Sequence, residues 1–141
     1  MYSDTILLVQ SESQSGLLRG RLEGKGYAVV EVSDTASAMS IASCSEIGLI
    51  VTELYLPVGT SRCLARHIGE SPALRRTKLL AYTRHGKRKD RQWARRIGAD
   101  GYVLTRSGDE RFLAVVDHLM ATPSITRRTT RAPGQRRPRS R

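Results

Sequence analysis

Short runs of apolar residues alternate along this chain with stretches whose apolar residues recur at helical spacing. Runs such as TILLVQ and KLLAYT are apolar over most of their length, which is typical of strands that are buried on both faces of a sheet. Strands of this kind lie parallel to one another and are joined by helical crossovers that cover both faces. The alternation therefore predicts an α/β fold in which five β–α units, (βα)5, form a doubly wound parallel five-stranded sheet.

The bounds of the predicted elements follow from these runs and from the Gly and Pro residues that interrupt them. We predict strands over residues 5–10, 27–32, 47–56, 78–83 and 102–105. We predict helices over residues 13–25, 35–43, 62–68, 87–97 and 109–120. The apolar side chains expected to face the sheet are Leu17, Leu18 and Leu22 in the first helix and Ala36, Met39 and Ala42 in the second.

Length and composition limit the class of protein. The chain has 141 residues, enough for one domain. No apolar run approaches the roughly 20 residues that a membrane-spanning helix needs, and the N-terminus lacks the features of a signal peptide, so we expect a cytoplasmic protein. Two cysteines are too few for a disulfide framework or a zinc site. We predict a folded domain over residues 1–121 and a disordered arginine-rich tail over residues 122–141, because the tail has almost no large apolar side chain.

The net charge of +11 is concentrated in two short blocks. Residues 84–96 carry seven basic residues, one acidic residue and the only tryptophan, and residues 121–141 carry seven arginines and no acid. The remaining residues are close to neutral, with ten basic and twelve acidic side chains. Two basic blocks on a neutral body indicate an anionic partner, which could be a nucleic acid, a nucleotide, a membrane surface or an acidic protein.

Four segments, ILLVQSES, LIVTELYLP, LLAYT and GADGYVLTR, occur in the order and at the spacing found in the CheY-like receiver domain. The chain resembles that family from residue 5 to residue 120. The resemblance implies a receiver or flavodoxin-like sheet and a function in signal transduction, with residues 1–121 forming a degenerate receiver domain.

Receivers hold Mg²⁺ with a pair of acids after the first strand and accept a phosphoryl group on an Asp that ends the third strand. Gln10 and Ser11 stand at the positions of the acid pair, and Glu53, four residues before Pro57, stands at the acceptor position. Because Mg²⁺ needs carboxylate ligands beside a phosphate, we expect no metal and no phosphorylation of Glu53. Two interpretations of Glu53 remain open, a mimic of a phosphorylated Asp and a polar residue left at a strand end.

Two further positions complete the receiver pocket. Thr83 retains the hydroxyl that follows the fourth strand, whereas Thr105 replaces the usual Lys after the fifth strand and Arg106 replaces the usual Pro. Without a lysine, no cation at this position meets the oxygens of a transferred phosphoryl group. The residues therefore predict a phosphorylation-independent protein that is not an enzyme.

The first basic block falls on the predicted fourth helix. At about 100° per residue, Asp90 and Ala94 face the sheet, Trp93 lies at the border of core and solvent, and Arg91 and Arg95 lie on the opposite flank. Three interpretations fit these residues. The block is a solvated helix face, or a nucleic-acid surface reinforced by the tail, or a site for a guanine nucleotide messenger. In the third, a carboxylate accepts from guanine N1 and N2, an arginine donates to O6 and N7, and the indole stacks on the base.

A receiver that lacks its phosphorylation pocket and has an arginine-rich stretch with Asp and Trp before GAD resembles the Cle group of CheY-like cyclic di-GMP effectors. The resemblance implies a cytoplasmic protein that binds cyclic di-GMP, singly or as a stacked dimer. It also implies that the protein engages a flagellar motor switch protein, with recruitment to the motor at the cell pole, to tune motility. The predicted ligand-binding residues are Arg84, Arg88, Asp90, Arg91, Trp93, Arg95 and Arg96. The alternative is a pseudo-receiver that binds protein or nucleic acid and has no small-molecule ligand.

Overall fold

Five parallel strands form one sheet in the computed structural model, which describes residues 4–10, 17–54, 70, 77–83, 88–96, 98–105 and 109–121. The strands are β1 (Thr5–Val9), β2 (Ala28–Val32), β3 (Leu49–Glu53), β4 (Lys78–Thr83) and β5 (Gly101–Leu104). Their order in the sheet is β2-β1-β3-β4-β5, and every neighbouring pair is parallel. The predicted doubly wound parallel α/β fold is confirmed.

Four helices lie within the described parts of the chain. They are α1 (Leu17–Gly24), α2 (Thr35–Cys44), α3 (Arg88–Arg96) and α4 (Asp109–Ala121). The helix predicted over residues 62–68 and the tail predicted over residues 122–141 lie outside the described residues, so α3 is the predicted fourth helix. None of the helices in the described ranges has the length and apolar character needed to cross a membrane.

Two of the expected inward positions, Leu17 and Ala36, are corrected by the structure. Leu17 of α1 is 57% exposed, whereas Leu18 and Leu22 are buried. In α2, Ala36 is exposed and Ala38 is buried in its place. The side chain of Asp34 caps α2 by accepting from the Ser37 backbone N–H at 2.7 Å, and the helix that starts there has Thr35, Ala38 and Ala42 buried toward the sheet.

The sheet separates two apolar clusters, as expected for strands buried on both faces. Leu7 and Val9 of β1 belong to the cluster that contains Ala38 of α2 and Ala94 of α3. The alternate residues of β1 belong to the cluster on the other face, which is formed with α1 and α4 and contains Ile6, Leu8, Leu18, Leu22, Phe112, Val116 and Leu119. Each fully buried Leu or Phe contributes about 1.5–3 kcal/mol to stability, so both faces of the sheet hold the domain together.

The two C-terminal helices are attached to the sheet very differently. Helix α4 buries three large apolar side chains, Phe112, Val116 and Leu119. Of the α3 side chains that the structure describes, Asp90 and Ala94 are buried and Trp93 is half-buried. Ala94 and Asp90 supply little apolar area and Trp93 is only half-buried, so the described side chains of α3 make a smaller hydrophobic contact with the domain than those of α4.

Candidate functional site

The residues at the receiver pocket positions meet at one edge of the sheet, where the parallel strands end. Gln10 follows β1, Glu53 ends β3, Thr83 ends β4 and Thr105 follows β5. The register places them side by side, because Glu53 pairs with Tyr82 and Thr83 is level with the last residue of β5. The structure thus brings these four predicted positions together, while Ser11 and Arg106 lie outside the described residues.

Gln10 is committed to a hydrogen-bond network within the domain. Its side chain is almost fully buried, at 1% exposure. The Tyr82 hydroxyl donates to Gln10 Oε1 at 2.8 Å, and Gln10 Nε2 donates to Glu31 Oε2 at 2.9 Å. The Arg19 guanidinium lies 3.8 Å from the other Glu31 oxygen. This network joins β1, β2 and β4 where receivers place an acid for a metal.

Among the four described pocket positions, Glu53 supplies the one carboxylate for Mg²⁺. Gln10 brings an uncharged amide whose oxygen already accepts from Tyr82, and a magnesium site needs carboxylates. Within the described ranges, no group of three or more His, Cys, Asp or Glu side chains could hold a metal ion. Thr105 also stands where a cation would meet a phosphoryl group. The role of Glu53, which is partly buried, stays a prediction.

The arginine-rich helix α3 has the orientation predicted by its helical phase. Asp90 is 1% exposed and Ala94 is also buried, so this side of the helix faces the sheet. Trp93 is half-buried at the border and packs against the core cluster around Ala94. The other described side chains are exposed and cover the outer face, namely Lys89, Arg91, Gln92, Arg95 and Arg96.

A concavity of about 760 Å³ opens on the outer face of α3. The described residues that line it are Lys89, Gln92, Trp93, Arg95 and Arg96. Their spacing explains the grouping, because residues three, four and seven positions apart share one helix face. The indole provides an apolar wall beside three cationic side chains. Such a surface can stack a planar ring and neutralise phosphate at the same time.

The predicted ligand-binding residues divide into groups. Trp93, Arg95 and Arg96 line the concavity. Arg91 is exposed but does not line it, and Asp90 is buried beneath the helix. The other two predicted arginines are Arg84 and Arg88. All of Arg84 and the side chain of Arg88 lie outside the described residues.

Sequence reasoning missed two residues of the concavity, Lys89 and Gln92. Their signal was present in the spacing, since Lys89, Trp93 and Arg96 stand at positions i, i+4 and i+7. Gln92 directly precedes Trp93 in the sequence. It is the one uncharged polar side chain among the described lining residues.

Beneath α3, the Asp90 carboxylate lies close enough to Tyr102 of β5 to influence its ionisation. Burial raises the pKa of the Tyr102 hydroxyl, the negative charge of Asp90 raises it further, and the Arg91 guanidinium lowers it. Within the described residues the buried Tyr102 hydroxyl has no hydrogen-bond partner. The described inner face of α3 therefore places a buried carboxylate beside Ala94, whereas α4 buries the apolar side chains Phe112, Val116 and Leu119.

Comparison with solved structures identifies the fold. The chemotaxis response regulator CheY4 of Vibrio cholerae superposes with a TM-score of 0.74 at 20% identity, covering 84% of this chain and 99% of that one. The receiver domain of a signal transduction histidine kinase from Syntrophus aciditrophicus gives 0.74 at 26% identity, covering 86% and 96%. The receiver domain of a sensor histidine kinase from Pseudomonas aeruginosa, which holds a magnesium ion in its active-site cleft, gives 0.77 at 21% identity, covering 85% and 99%.

This chain has the CheY-like receiver fold. No protein-family model matches the sequence, and neither does any curated protein. At the edge of the sheet, the Gln10 side chain is hydrogen-bonded inside the domain. Among the described residues, the outer face of α3 is a candidate for a small-molecule site.

Proposed function

We propose that this protein is a non-enzymatic cyclic di-GMP effector that binds the messenger on the outer face of α3. The observation that carries the proposal is the concavity in which the half-buried Trp93 lies beside Lys89, Arg95 and Arg96. A cyclic dinucleotide offers two planar bases and two phosphates, and this surface offers a stacking platform beside cations. A stacked dimer of the ligand would bring four phosphate charges to the arginines.

Each group has a separate part in the proposed binding. The Trp93 indole stacks on a guanine, an interaction worth about 1–3 kcal/mol per base. Arg95 and Arg96 donate charge-assisted hydrogen bonds, either to phosphate oxygens or as a planar fork to guanine O6 and N7. Lys89 adds a point charge for phosphate. Arg84, Arg88 and Arg91 are proposed as flanking cations of the same site.

The output of the protein is proposed to be a contact with a flagellar motor switch protein that tunes motility. Two observations support it, the receiver fold and the likeness to a chemotaxis response regulator from Vibrio cholerae. Binding of an anionic ligand removes the like-charge repulsion along α3 and changes the surface that the helix presents. The ligand is proposed to take the place of phosphorylation as the input, and the hydrogen bonds of the Gln10 side chain to Tyr82 and Glu31 support this.

Isothermal titration calorimetry of the full chain with cyclic di-GMP, cyclic di-AMP and GTP tests the ligand. We expect saturable binding of cyclic di-GMP alone, at micromolar affinity or better. Trp93→Ala and Arg95→Ala should each weaken binding at least tenfold. The matched control is Arg111→Ala, which removes an exposed arginine from α4 and should leave the affinity within twofold.

The same titration can reject the proposal. If the three nucleotides bind equally weakly, or none binds, α3 is a basic surface, and a protein or nucleic-acid partner becomes the next candidate. Affinities that stay within twofold in both Trp93→Ala and Arg95→Ala would place the ligand elsewhere on the molecule.

The partner is tested by measuring binding of the purified flagellar motor switch protein with and without saturating cyclic di-GMP. We expect the complex to form only with the messenger present and to be lost in Trp93→Ala. Equal binding in both conditions would identify a protein-interaction module that does not depend on the ligand.

A further inference from the structure

We infer that Gln92, rather than Asp90, accepts the hydrogen bonds of the guanine N1–H and N2–H groups at the α3 site. This inference rests on the proposed function and assigns the contact that completes recognition of the base. It follows from the orientation of α3 and from the chemistry of the side chains around the concavity.

The orientation of α3 separates the two candidates. Asp90 and Gln92 are two residues apart, which places them about 200° apart around a helix. Asp90 is 1% exposed against the sheet, whereas Gln92 is exposed and lines the concavity. A helix held in this orientation cannot present both side chains to one ligand. The carboxylate beneath the helix instead lies near Tyr102, whose pKa it raises.

An inventory of donors and acceptors then singles out Gln92. Among the described lining residues, Lys89, Arg95 and Arg96 have donors alone, and the Trp93 indole has one donor and no acceptor. These groups suit phosphate oxygens and guanine O6 and N7, which are all acceptors. Guanine N1–H and N2–H are donors and need an acceptor. The Gln92 amide oxygen is the one side-chain acceptor among these lining residues.

The position of Gln92 on the helix suits this contact. Gln92 is adjacent to Trp93 in sequence, and it lies three and four residues before Arg95 and Arg96. Side chains three and four positions apart are neighbours on a helix surface, with Cβ atoms about 5–6 Å apart, and Gln92 and Trp93 line the same concavity. A base stacked on the indole therefore has its edges within reach of Gln92 and of the arginines. The arginine fork distinguishes O6 and N7 of guanine from the corresponding atoms of adenine, and Gln92 satisfies the opposite donors.

Substitution of Gln92 by lysine separates base recognition from electrostatics. If the site attracted its ligand by charge alone, Gln92→Lys would tighten cyclic di-GMP binding. If Gln92 accepts from guanine, the new ammonium faces N1–H and N2–H, and binding should weaken about tenfold despite the added charge. The matched control is Ala114→Lys, which adds the same charge at an exposed position of α4 and should leave the affinity within twofold.

Asp90→Asn supplies the second arm, measured by calorimetry on the full chain. We expect its cyclic di-GMP affinity to stay within twofold, because the buried side chain does not touch the ligand. A tenfold loss in Asp90→Asn, or tighter binding by Gln92→Lys, would overturn the inference. Either result would leave the proposed function standing, since that fails only if the unmodified chain does not bind cyclic di-GMP selectively. If Asp90→Asn does not fold, the cyclic di-GMP affinity of Gln92→Lys still tests whether Gln92 accepts from the guanine.

Discussion

At the residue scale, the Gln10 side chain connects three strands of the sheet. Its amide is the link between the Tyr82 hydroxyl and the Glu31 carboxylate, at 2.8 and 2.9 Å. The Tyr82 ring is fixed in turn by an edge-to-face contact with Phe112, with centroids 6.4 Å apart. An aspartate in place of Gln10 would have no N–H to offer Glu31 and would set two carboxylates against each other.

Gln10→Ala should lower the free energy of unfolding by about 2–3 kcal/mol, because it leaves the buried Tyr82 hydroxyl without its acceptor. Urea unfolding followed by circular dichroism measures the change. The control is Arg111→Ala, which removes an exposed side chain of α4 outside this network and should cost less than about 1 kcal/mol. If both variants lost the same free energy of unfolding, the network around Gln10 would contribute no more to stability than the control side chain does.

The hydrogen-bonded pair Tyr27 and Asp117 makes the free energy of unfolding depend on pH. The Tyr27 hydroxyl donates to Asp117 Oδ1 at 2.6 Å, and Lys25 Nζ lies 3.0 Å from the other carboxylate oxygen. Burial, followed by the hydrogen bond to Asp117, raises the pKa of Tyr27 to about 12. The hydrogen bond from Tyr27 lowers the pKa of Asp117, burial opposes that change, and Lys25 adds to it.

The directions of these two pKa shifts predict the pH ranges in which the contribution of this pair to the free energy of unfolding is lost. The part due to Tyr27 is present below its ordinary pKa of 10.0 and is lost as pH rises through about 12. The part due to Asp117 is present above its ordinary pKa of 3.8 and is lost as pH falls through the lowered value. The stability difference between the unmodified chain and Tyr27→Phe should therefore be constant near neutral pH and shrink at both extremes. Urea unfolding from pH 2 to 12 measures it, and a difference that stays flat would contradict the assignment.

At the element scale, α3 and α4 differ in how much apolar surface fastens them. Helix α4 also receives a hydrogen bond from Lys78 Nζ to the Leu119 carbonyl at 2.5 Å, which satisfies a carbonyl in its last turn. Helix α3 carries like charges four residues apart, such as Arg91 and Arg95, and each such pair disfavours a helix by about 0.2–0.5 kcal/mol. Elements with few buried apolar contacts open at lower free energy than the rest of a domain.

Native-state hydrogen exchange should therefore show lower protection for the amides of α3 than for those of α4. Addition of cyclic di-GMP should slow exchange in α3 alone, because the ligand neutralises the charges and bridges successive turns. Exchange measured by mass spectrometry on peptides from the two helices provides the comparison, with α4 as the internal control. Equal protection in the free protein would show that α3 is as firmly held as α4.

The phase of α3 could be predicted from the sequence because it needs only the helix repeat. That repeat placed Asp90 and Ala94 inward and Trp93 at the border, as the structure has them. The exposure of Leu17 could not be predicted, because helical spacing alone does not say which of the adjacent residues Leu17 and Leu18 faces the sheet. The hydrogen bonds of Gln10 could not be predicted either, because Glu31 and Tyr82 lie 21 and 72 residues away in sequence and come close to Gln10 only in the folded sheet.

At the scale of the whole molecule, most of the positive charge lies in two segments, residues 84–96 and the tail. The buried residues belong to two apolar clusters on the faces of the sheet, while the basic residues concentrate in residues 84–96 and in the tail. A nearly neutral domain with a cationic helix and a cationic tail can attract anions at two separate places. The ligand proposal assigns the messenger to the helix and requires no contribution from the tail.

Deletion of residues 122–141 removes seven positive charges and lowers the net charge from +11 to +4. The described residues that line the concavity all belong to α3, so we expect cyclic di-GMP affinity to stay within twofold in the truncated chain. Binding to duplex DNA, measured by fluorescence anisotropy over a range of salt concentrations, should fall sharply, since each phosphate contact contributes a slope of about −0.9 in log K against log salt.

A full-length variant with glutamine at the seven tail arginines separates the effect of charge from that of length. A tenfold loss of cyclic di-GMP affinity in both variants would make the tail part of the messenger site. Duplex binding that survives in both would instead identify the α3 face as a nucleic-acid surface.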